Sequence, residues 1–458
     1  MENRRDILAR VPVGRALIRL SAPAVVGMMV MASYNMVDTI MIGWGVGSLG
    51  IASVAASFPV QFMVNAVGMW LAMGVASLLA RSLGAEKQVQ AETALANGVT
   101  IGLVVCALCW GAGEIFIEPL ITFCGATPIM RPLSREYLRI TFCGSPAIVL
   151  GCIFLNGIRA EGGTRFTMMT QLAAALTNCA LDYAFIFWFG WGVAGAAWAT
   201  VIGQMVMLVF SFAYYLRGHT MVKLNMAYWR PQMVLMKDIV SVGFSDFARI
   251  ASNCLAIALL MHTAVQYGTE LHLAAYGICS RLQTFTVKPI FGLGQGLLPL
   301  VGFNYGSGDY DRAKKAVKYA VMFALVFTSA VSLVVMTDPE IFIRFFTDDP
   351  ELIKASVPAA RAMLAMFCLV GVHVVITVMF QALGFAKEAI FLSMCRRLIF
   401  LVPLMFILPP LFGILGVFMV YSVSDLLSFL CCLGLLIKHR HVLNKEPALT
   451  AQCQGAGD

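Results

Sequence analysis

Long apolar segments dominate the chain and restrict it to one class of structure. A helix needs about 20 mainly apolar residues to cross a bilayer, because every backbone polar group in hydrocarbon must be satisfied within the segment. Twelve segments of this chain meet the requirement, so we predict an all-α integral membrane protein with twelve transmembrane helices. The segments are residues 16–43, 51–79, 93–115, 134–156, 167–189, 192–216, 239–266, 273–299, 313–336, 354–382, 390–410 and 413–437.

The distribution of charge predicts the topology. The chain has a net charge of +8. If the N-terminus is cytoplasmic, most of the Lys and Arg residues fall on the cytoplasmic side, while acids such as Glu114, Glu118 and Asp338 fall on the other. This is the positive-inside pattern, which we interpret as topology rather than nucleic-acid binding. We therefore predict a multi-pass protein of the bacterial inner membrane with both termini cytoplasmic.

Two further features fit this interpretation. The first apolar segment is too long for a cleaved signal peptide and lacks a small-residue cleavage site, so it is expected to be retained as a span. Of the 13 cysteines, most lie inside spans without loop spacings suited to metals or disulfides, which indicates packing.

An internal repeat divides the chain into two halves. Gly74 and Gly296 are 222 residues apart, as are Gly84 and Gly306, and Gly192 and Gly413 are 221 apart. Because each half holds six helices, both halves enter the membrane in the same orientation and are related by an axis along the membrane normal, with a central cavity between them.

The repeat predicts the domains and the class of function. The predicted domains are an N-terminal bundle (1–216), a cytoplasmic linker (217–238) and a C-terminal bundle with a short tail (239–458). Such a 6+6 plan is typical of secondary transporters, which work by alternating access. A G-x-x-x-x-G-K-[ST] motif is absent from the sequence, so transport is expected to use an ion gradient.

Two carboxylates interrupt the apolar spans of the first half. Asp38 and Asp182 each lie roughly 10 to 12 Å below the outer surface, at a rise of about 1.5 Å per residue. Thr200 lies at a similar depth, and Asn178 shares a helix face with Asp182 because it precedes that residue by four. The supporting residues predicted for the same layer are Tyr34 and Asn35.

This layer favours ion coupling, because paired acids inside a membrane usually mark an ion pathway. Its oxygens suit Na+ or, if the acids are protonated, H+; the alternative is that each Asp is a structural hydrogen-bonding group between helices. The repeat places Leu260 and Pro403 where the first half has Asp38 and Asp182, so coupling is expected in the first half.

The sequence resembles the MATE (multidrug and toxic compound extrusion) family of the MOP flippase superfamily. The resemblance covers essentially the whole chain. The stretches that carry it are SAPAVVGMM, NMVDTIMIG, GIRAEGGTRFTM, NCALDYAFIF, GVAGAAWATVIGQ and QGLLPLVGFNYGSGDYDRA.

The resemblance implies a V of two six-helix bundles that exports organic, often cationic, compounds in exchange for Na+ or H+. In the DinF-like branch the coupling site matches Asp38, Asn178, Asp182 and Thr200, and Pro23 matches a proline whose kink responds to the cation. A hinge there is physically reasonable, because proline removes a helical hydrogen bond. Many relatives have Pro where Tyr183 stands. The NorM-like branch has further acids that helix 10 of this chain lacks, so a second cation site is not expected.

Other polar residues lie in the spans of the second half. Asp246 and Arg249 are predicted to form an ion pair, and His373 to have a packing or hydrogen-bonding role rather than act as a proton relay. Residues proposed for the substrate cavity are Met31, Met63, Arg281 and Lys288, although apolar packing is the commoner role of any one methionine.

The leading prediction is therefore an exporter of small organic compounds, cationic or amphiphilic, that is a monomer in the lipid bilayer and needs no cofactor beyond the coupling ion. One alternative is a lipid-linked saccharide flippase, for which a cavity lined by Arg249, Arg281 and Lys288 would be the sign. Another is a membrane-embedded enzyme, but the sequence offers no convincing nucleophile, base or metal set. The choice between Na+ and H+ stays open.

Overall fold

The computed structural model describes residues 4–218, 220–224 and 228–439, and all regular elements within them are helices. The C-terminal tail from residue 440, including the Arg440 used above for topology, lies outside the described residues. The helices are α1 (Arg4–Ala9), α2 (Val13–Val46), α3 (Ser48–Gly84), α4 (Gln88–Ile115), α5 (Ile117–Phe123), α6 (Arg131–Cys143), α7 (Ser145–Ala160), α8 (Thr164–Tyr183), α9 (Gly192–Leu216), α10 (Met233–Tyr267), α11 (Glu270–Gly306), α12 (Tyr310–Thr337), α13 (Glu340–Ile343), α14 (Pro350–Leu364), α15 (Phe367–Leu383), α16 (Ala386–Met394) and α17 (Val402–Lys438).

These helices form the predicted twelve-helix membrane fold. Seven candidate spans are recognised in the described residues by length and apolarity, and nine when α6 with α7 (bent by 45°) and α14 with α15 (bent by 44°) each count as one. The last candidate covers two crossings, because α17 breaks at Gly413. Helices α8 and α11 are less apolar, since they carry polar residues such as Asn178 and Lys288.

Each half contains a π-helical segment in its fifth crossing. Residues Ala184–Trp188 continue α8, and residues Cys395–Leu401 join α16 to α17. A π segment inside an α-helix inserts an extra residue per turn and is frequent at functional sites. The first segment begins immediately after Tyr183, the position at which many relatives have proline.

The backbone repeats between the halves at the turn before the sixth crossing. Gly192 has φ 55° and Gly413 has φ 58°. Both values lie in the left-handed region, which favours glycine because other residues have a Cβ that clashes there. The two positions are 221 residues apart, so the same turn is built twice.

The two halves meet where α3 crosses α11. A Cβ added to Gly84 would lie 1.9 Å from the carbonyl oxygen of Phe303, and one added to Gly306 would lie 2.1 Å from that of Arg81. Only glycine permits this approach. Arg81 and Phe303 are 222 residues apart, as the two glycines are, so the crossing pairs equivalent residues around the repeat axis.

Two further crossings close the same side of the molecule. A Cβ on Gly74 of α3 would lie 2.0 Å from the carbonyl oxygen of Ile239 in α10, and one on Gly296 of α11 would lie 2.6 Å from the Cα of Ser21 in α2. In each of these four helices the contact lies in the part nearest to α1. The two halves are therefore packed backbone to backbone at the α1 end.

Helix α1 lies against this closed end. Leu8 is fully buried, and its carbonyl oxygen accepts hydrogen bonds from Asn304 Nδ2 at 3.1 Å and Arg312 Nε at 3.2 Å, both in the second half. Arg4 Nη1 lies 4.0 Å from Glu161 Oε2 in the first half. The short N-terminal helix therefore contacts both halves.

The described part of the linker is held by the first half. Glu161, in the turn between α7 and α8, accepts hydrogen bonds from the backbone N–H groups of Met221 at 3.0 Å and Val222 at 3.3 Å. Gln232 N–H donates to Asn97 Oδ1 at 3.1 Å. Burial raises the pKa of the Glu161 carboxyl group to about 8, and the Met221 hydrogen bond only partly offsets this.

Candidate functional site

The structure brings the two predicted aspartates together. Asp38 on α2 is 6% exposed and Asp182 on α8 is 0% exposed. Their carboxyl groups lie within reach of a shared hydrogen bond, which would need one proton between them. Asn178, one turn before Asp182 on the same helix, is 2% exposed. Two neighbouring helices therefore place three polar side chains in one buried layer.

Most oxygens in this layer lack a donor. Among the described residues, no hydrogen-bond partner reaches Asp38 Oδ1, Asn178 Oδ1 or either carboxylate oxygen of Asp182. We call Asp38, Asn178 and Asp182 the acceptor cluster. Buried acceptors without partners are costly, and much more so when they carry charge. The arrangement is one that a small cation or added protons would stabilise.

Thr200 lies beside the cluster on α9. Asn178 Nδ2 donates a hydrogen bond to Thr200 Oγ1 at 3.4 Å. Both residues line a small cavity, and Met31 and Tyr34 of α2 line it as well. The cavity is therefore bounded by α2, α8 and α9.

Other predicted site residues lie apart from this cavity. Asn35 is exposed, and its amide donates to the carbonyl oxygen of Met31 in its own helix at 2.7 Å. Met63 is 37% exposed, and Arg281 is exposed too. Pro23 lies inside α2 between Ser21 and Val25, the part that packs against α11. The structure does not bring these residues to the acceptor cluster.

Two glutamines near the site were not singled out by the sequence analysis. Gln204 lines the cavity, one turn after Thr200 on α9. Gln171 on α8 is buried, and its Oε1 has no partner among the described residues. The four-residue spacing from Thr200 to Gln204 was an available signal, since such a spacing places both residues on one helix face.

In the second half, the ion pair predicted within α10 is confirmed. Arg249 donates through Nη2 to Asp246 Oδ1 at 2.7 Å, and its guanidinium lies 4.7 Å from the ring centre of Phe291. His373 is buried within hydrogen-bonding distance of the carbonyl oxygen of Leu392, at 3.1 Å. This contact is of the hydrogen-bonding kind expected for His373.

Two charges that the sequence analysis assigned to helix ends are inside the bundle. Arg396 and Arg397 lie in the second π-helical segment, after the nine residues of α16. Arg396 donates through Nε to Asp425 Oδ1 on α17, and the two side chains are 11% and 1% exposed. They were misplaced because charge counts carry no information about burial.

Comparisons with known proteins agree with this architecture. The MatE family model matches residues 23–184 and 248–407. The chain is 25% identical over 444 residues to the FAD transporter of Shewanella oneidensis, covering 94% of this chain and 96% of that one. It is 25% identical over 442 residues to the multidrug export protein MepA of Staphylococcus saprophyticus, covering 95% and 96%. The crystal structure of MATE in complex with MaL6 superposes with a TM-score of 0.91 at 25% identity, covering 97% of this chain and all of that one.

The fold and these matches define a multi-pass membrane transport protein rather than an enzyme. More particularly, the chain belongs to the MatE family, whose model matches on both halves of the repeat.

Proposed function

We propose that this protein exports small organic compounds from the cytoplasm in exchange for Na+ or H+, and that the ion binds at the acceptor cluster. The observation that carries the proposal is the group of buried oxygens without donors on Asp38, Asn178 and Asp182. A cation or protons entering this group would satisfy acceptors that nothing else in the described residues satisfies. No cofactor besides the coupling ion is part of the proposal.

Alternating access follows from where the halves touch. The α1 end is closed by helix crossings that leave no room for a Cβ. With both termini cytoplasmic, as the charge distribution predicts, this closed end faces the cytoplasm. An ion can favour one conformation only by binding it more tightly than the other. Ion binding at α2 and α8 would therefore act on α2, whose Ser21–Val25 segment contacts the second half.

The relatives support export of organic compounds. One is named a multidrug export protein and another an FAD transporter, so proteins of this fold handle different organic molecules. Met31 lines the cavity next to the acceptor cluster. Methionine side chains are flexible and polarizable, which suits a pocket that binds more than one molecule. We propose that the protein acts as a monomer.

The flippase alternative is less well supported. It expected Arg249, Arg281 and Lys288 to line one cavity together. Arg249 instead pairs with Asp246, and Arg281 is exposed.

The test is transport by purified protein in liposomes under imposed gradients. A proton gradient and a sodium gradient are applied separately, and movement of a fluorescent organic substrate is followed. We expect one gradient to drive transport in the wild type. Asp38→Asn and Asp182→Asn should each abolish it, because an amide keeps the size of the side chain but removes its charge and its titration.

Asp348→Asn is the matched control, because Asp348 is an exposed acid in the turn before α14. It should transport like the wild type. Gradient-driven transport at the wild-type rate by both Asp38→Asn and Asp182→Asn would contradict the proposal. Transport that ignores both gradients would contradict ion coupling as a whole.

A further inference from the structure

The second half contains a buried group of hydrogen-bond donors. Arg397 Nη2 donates to Gln283 Oε1 at 3.3 Å, and the Arg397 guanidinium lies 4.7 Å from the ring centre of Tyr421. The hydroxyl groups of Tyr276 and Tyr421 are 3.0 Å apart. We call Tyr276, Gln283, Arg397 and Tyr421 the donor cluster.

The contact with Arg397 fixes the orientation of the Gln283 amide. A guanidinium can only donate, so the amide oxygen of Gln283 must face it. The amide nitrogen then points elsewhere, and it is buried with no acceptor among the described residues. Gln283 is 6% exposed, so water does not readily replace that acceptor. This nitrogen therefore offers unused N–H donors inside the protein.

Other donors in the cluster are also unused. Arg397 has five N–H groups, and its only hydrogen bond among the described residues is the one to Gln283. Between the two tyrosine hydroxyls, one proton is donated to the other oxygen and the second proton remains. The cluster can therefore give several hydrogen bonds and accept few.

The nearest carboxylate does not neutralise Arg397. Asp425 is bound by Arg396, through Nε to Oδ1 at 2.5 Å and Nη2 to Oδ2 at 3.4 Å. Arg397 has no carboxylate within ion-pair distance among the described residues. Elsewhere in this half, Lys288 also has no ion pair in the part of the chain that is described. The half therefore presents positive charge that its own acids leave unbalanced.

The donor cluster corresponds by repeat to the acceptor cluster. Tyr421 is 221 residues after Thr200, the same offset that relates Gly192 to Gly413. Arg397 is only partly buried, so part of its side chain can be reached. Arginine inside a membrane span almost always faces the bundle interior or a water-filled cavity.

We infer that the donor cluster binds the oxyanion of the transported compound, a phosphate or carboxylate group on an organic molecule. An oxyanion accepts several hydrogen bonds and pairs with guanidinium through two parallel ones. It would satisfy Gln283 Nε2 and the unused N–H groups of Arg397 together. The substrate class is then organic anions and zwitterions, rather than simple organic cations.

This inference rests on the proposed function, since it names the chemistry of the exported compound. It is tested by binding without any gradient, so it can fail while ion-coupled transport is upheld, and the reverse also holds. The oxyanion could belong to a soluble compound or to a lipid headgroup. The experiment therefore has one arm for each source.

Both arms compare ligands that differ only by a phosphate. The first arm measures binding of flavin mononucleotide and riboflavin to the purified protein by flavin fluorescence. The second measures binding of dioctanoyl phosphatidic acid and dioctanoylglycerol by native mass spectrometry. In at least one arm we expect the phosphate to tighten binding about tenfold or more, the range of one or two hydrogen bonds to charged groups.

Two variants link this preference to the cluster. Arg397→Gln should remove it by removing the guanidinium. Gln283→Glu should remove it while keeping the size of the side chain, because the new carboxylate would pair with Arg397. Arg131→Gln, at an exposed arginine of α6, is the matched control and should keep the preference.

Two results would overturn the inference. One is equal binding with and without phosphate in both arms. The other is a preference that survives either cluster variant in protein that elutes as a single folded species. If Arg397→Gln fails to fold, Gln283→Glu decides the question.

Discussion

The two halves of this transporter share a backbone but carry opposite polar chemistry. The first half has buried acceptors on Asp38, Asn178 and Asp182, and the second has buried donors on Gln283 and Arg397. The glycines that set the helix crossings are nevertheless retained at a constant offset. A crossing tolerates only one side-chain size, whereas a group facing a ligand is constrained mainly by that ligand. Duplication therefore preserved the hinge and left each site free to specialise.

The largest effect is expected at the shared crossing. Gly84→Ala and Gly306→Ala each place a methyl group about 2 Å from a carbonyl oxygen of the other half. Both should slow transport about tenfold or more, because even about 1.4 kcal/mol against the closed conformation changes its population tenfold. The two effects should be similar, because the contacts are equivalent. Transport rates in liposomes measure them.

Gly111→Ala on α4 is the control for this pair, since nothing lies within 4 Å of the added methyl group. It should transport normally. A large loss in only one of the two crossing variants would break the symmetry argued here.

A smaller effect should separate the two clusters. Thr200→Ala removes the hydroxyl that accepts from Asn178, and should weaken the response to the driving ion by up to about tenfold. Tyr421→Phe, at the equivalent position, should leave that response unchanged and weaken binding of flavin mononucleotide instead. Ion titrations of transport and flavin binding measure the two separately. If both variants changed both properties, the clusters would not be independent.

An ion pair between the halves should contribute modestly to stability. Arg81 Nη2 lies 2.9 Å from Asp238 Oδ2, with side chains 20% and 30% exposed. Arg81→Met should lower the free energy of unfolding by about 1 kcal/mol, a value kept small because solvent screens partly exposed pairs. Arg344→Met breaks a pair of equal length whose side chains are 64% and 44% exposed, so its effect should be smaller. Thermal melting in detergent compares them, and equal shifts would contradict the role of burial.

The smallest effect concerns pH and Glu161. Burial raises the pKa of this carboxyl group to about 8, above its value of 4.5 in the unfolded chain. Between these values the unfolded state loses the proton first, so the group lowers stability progressively as pH rises from about 4.5 to 8. Glu161→Gln does not titrate. The wild type should therefore lose more thermal stability than Glu161→Gln between pH 5 and 8, and parallel melting curves would contradict this.

The architecture could be predicted from the sequence because its causes are local and repeated. Span length follows from bilayer thickness, and the offset of Gly84 and Gly306 shows in the letters. The acceptor cluster was also predictable, since charge is rare in a span and a four-residue spacing places Asn178 beside Asp182.

What could not be predicted depends on rotation about each helix axis. Asn35 is adjacent to the cluster in sequence, yet it bonds to its own helix. Arg397 was interpreted as a charge at a helix end, because the π-helical segment that surrounds it has no composition signal. Which of two neighbouring arginines takes Asp425 is decided by packing against α17, and no spacing rule contains that information.

Helix α1 has a practical consequence for handling this protein. Its few residues touch Glu161 in one bundle and Asn304 and Arg312 in the other. An affinity tag or fluorescent protein fused directly ahead of Arg4 would add bulk beside contacts that must loosen and re-form in every cycle. Fusions for purification or imaging are therefore better placed after the last helix, and turnover measured with an N-terminal fusion would underestimate that of the unmodified chain.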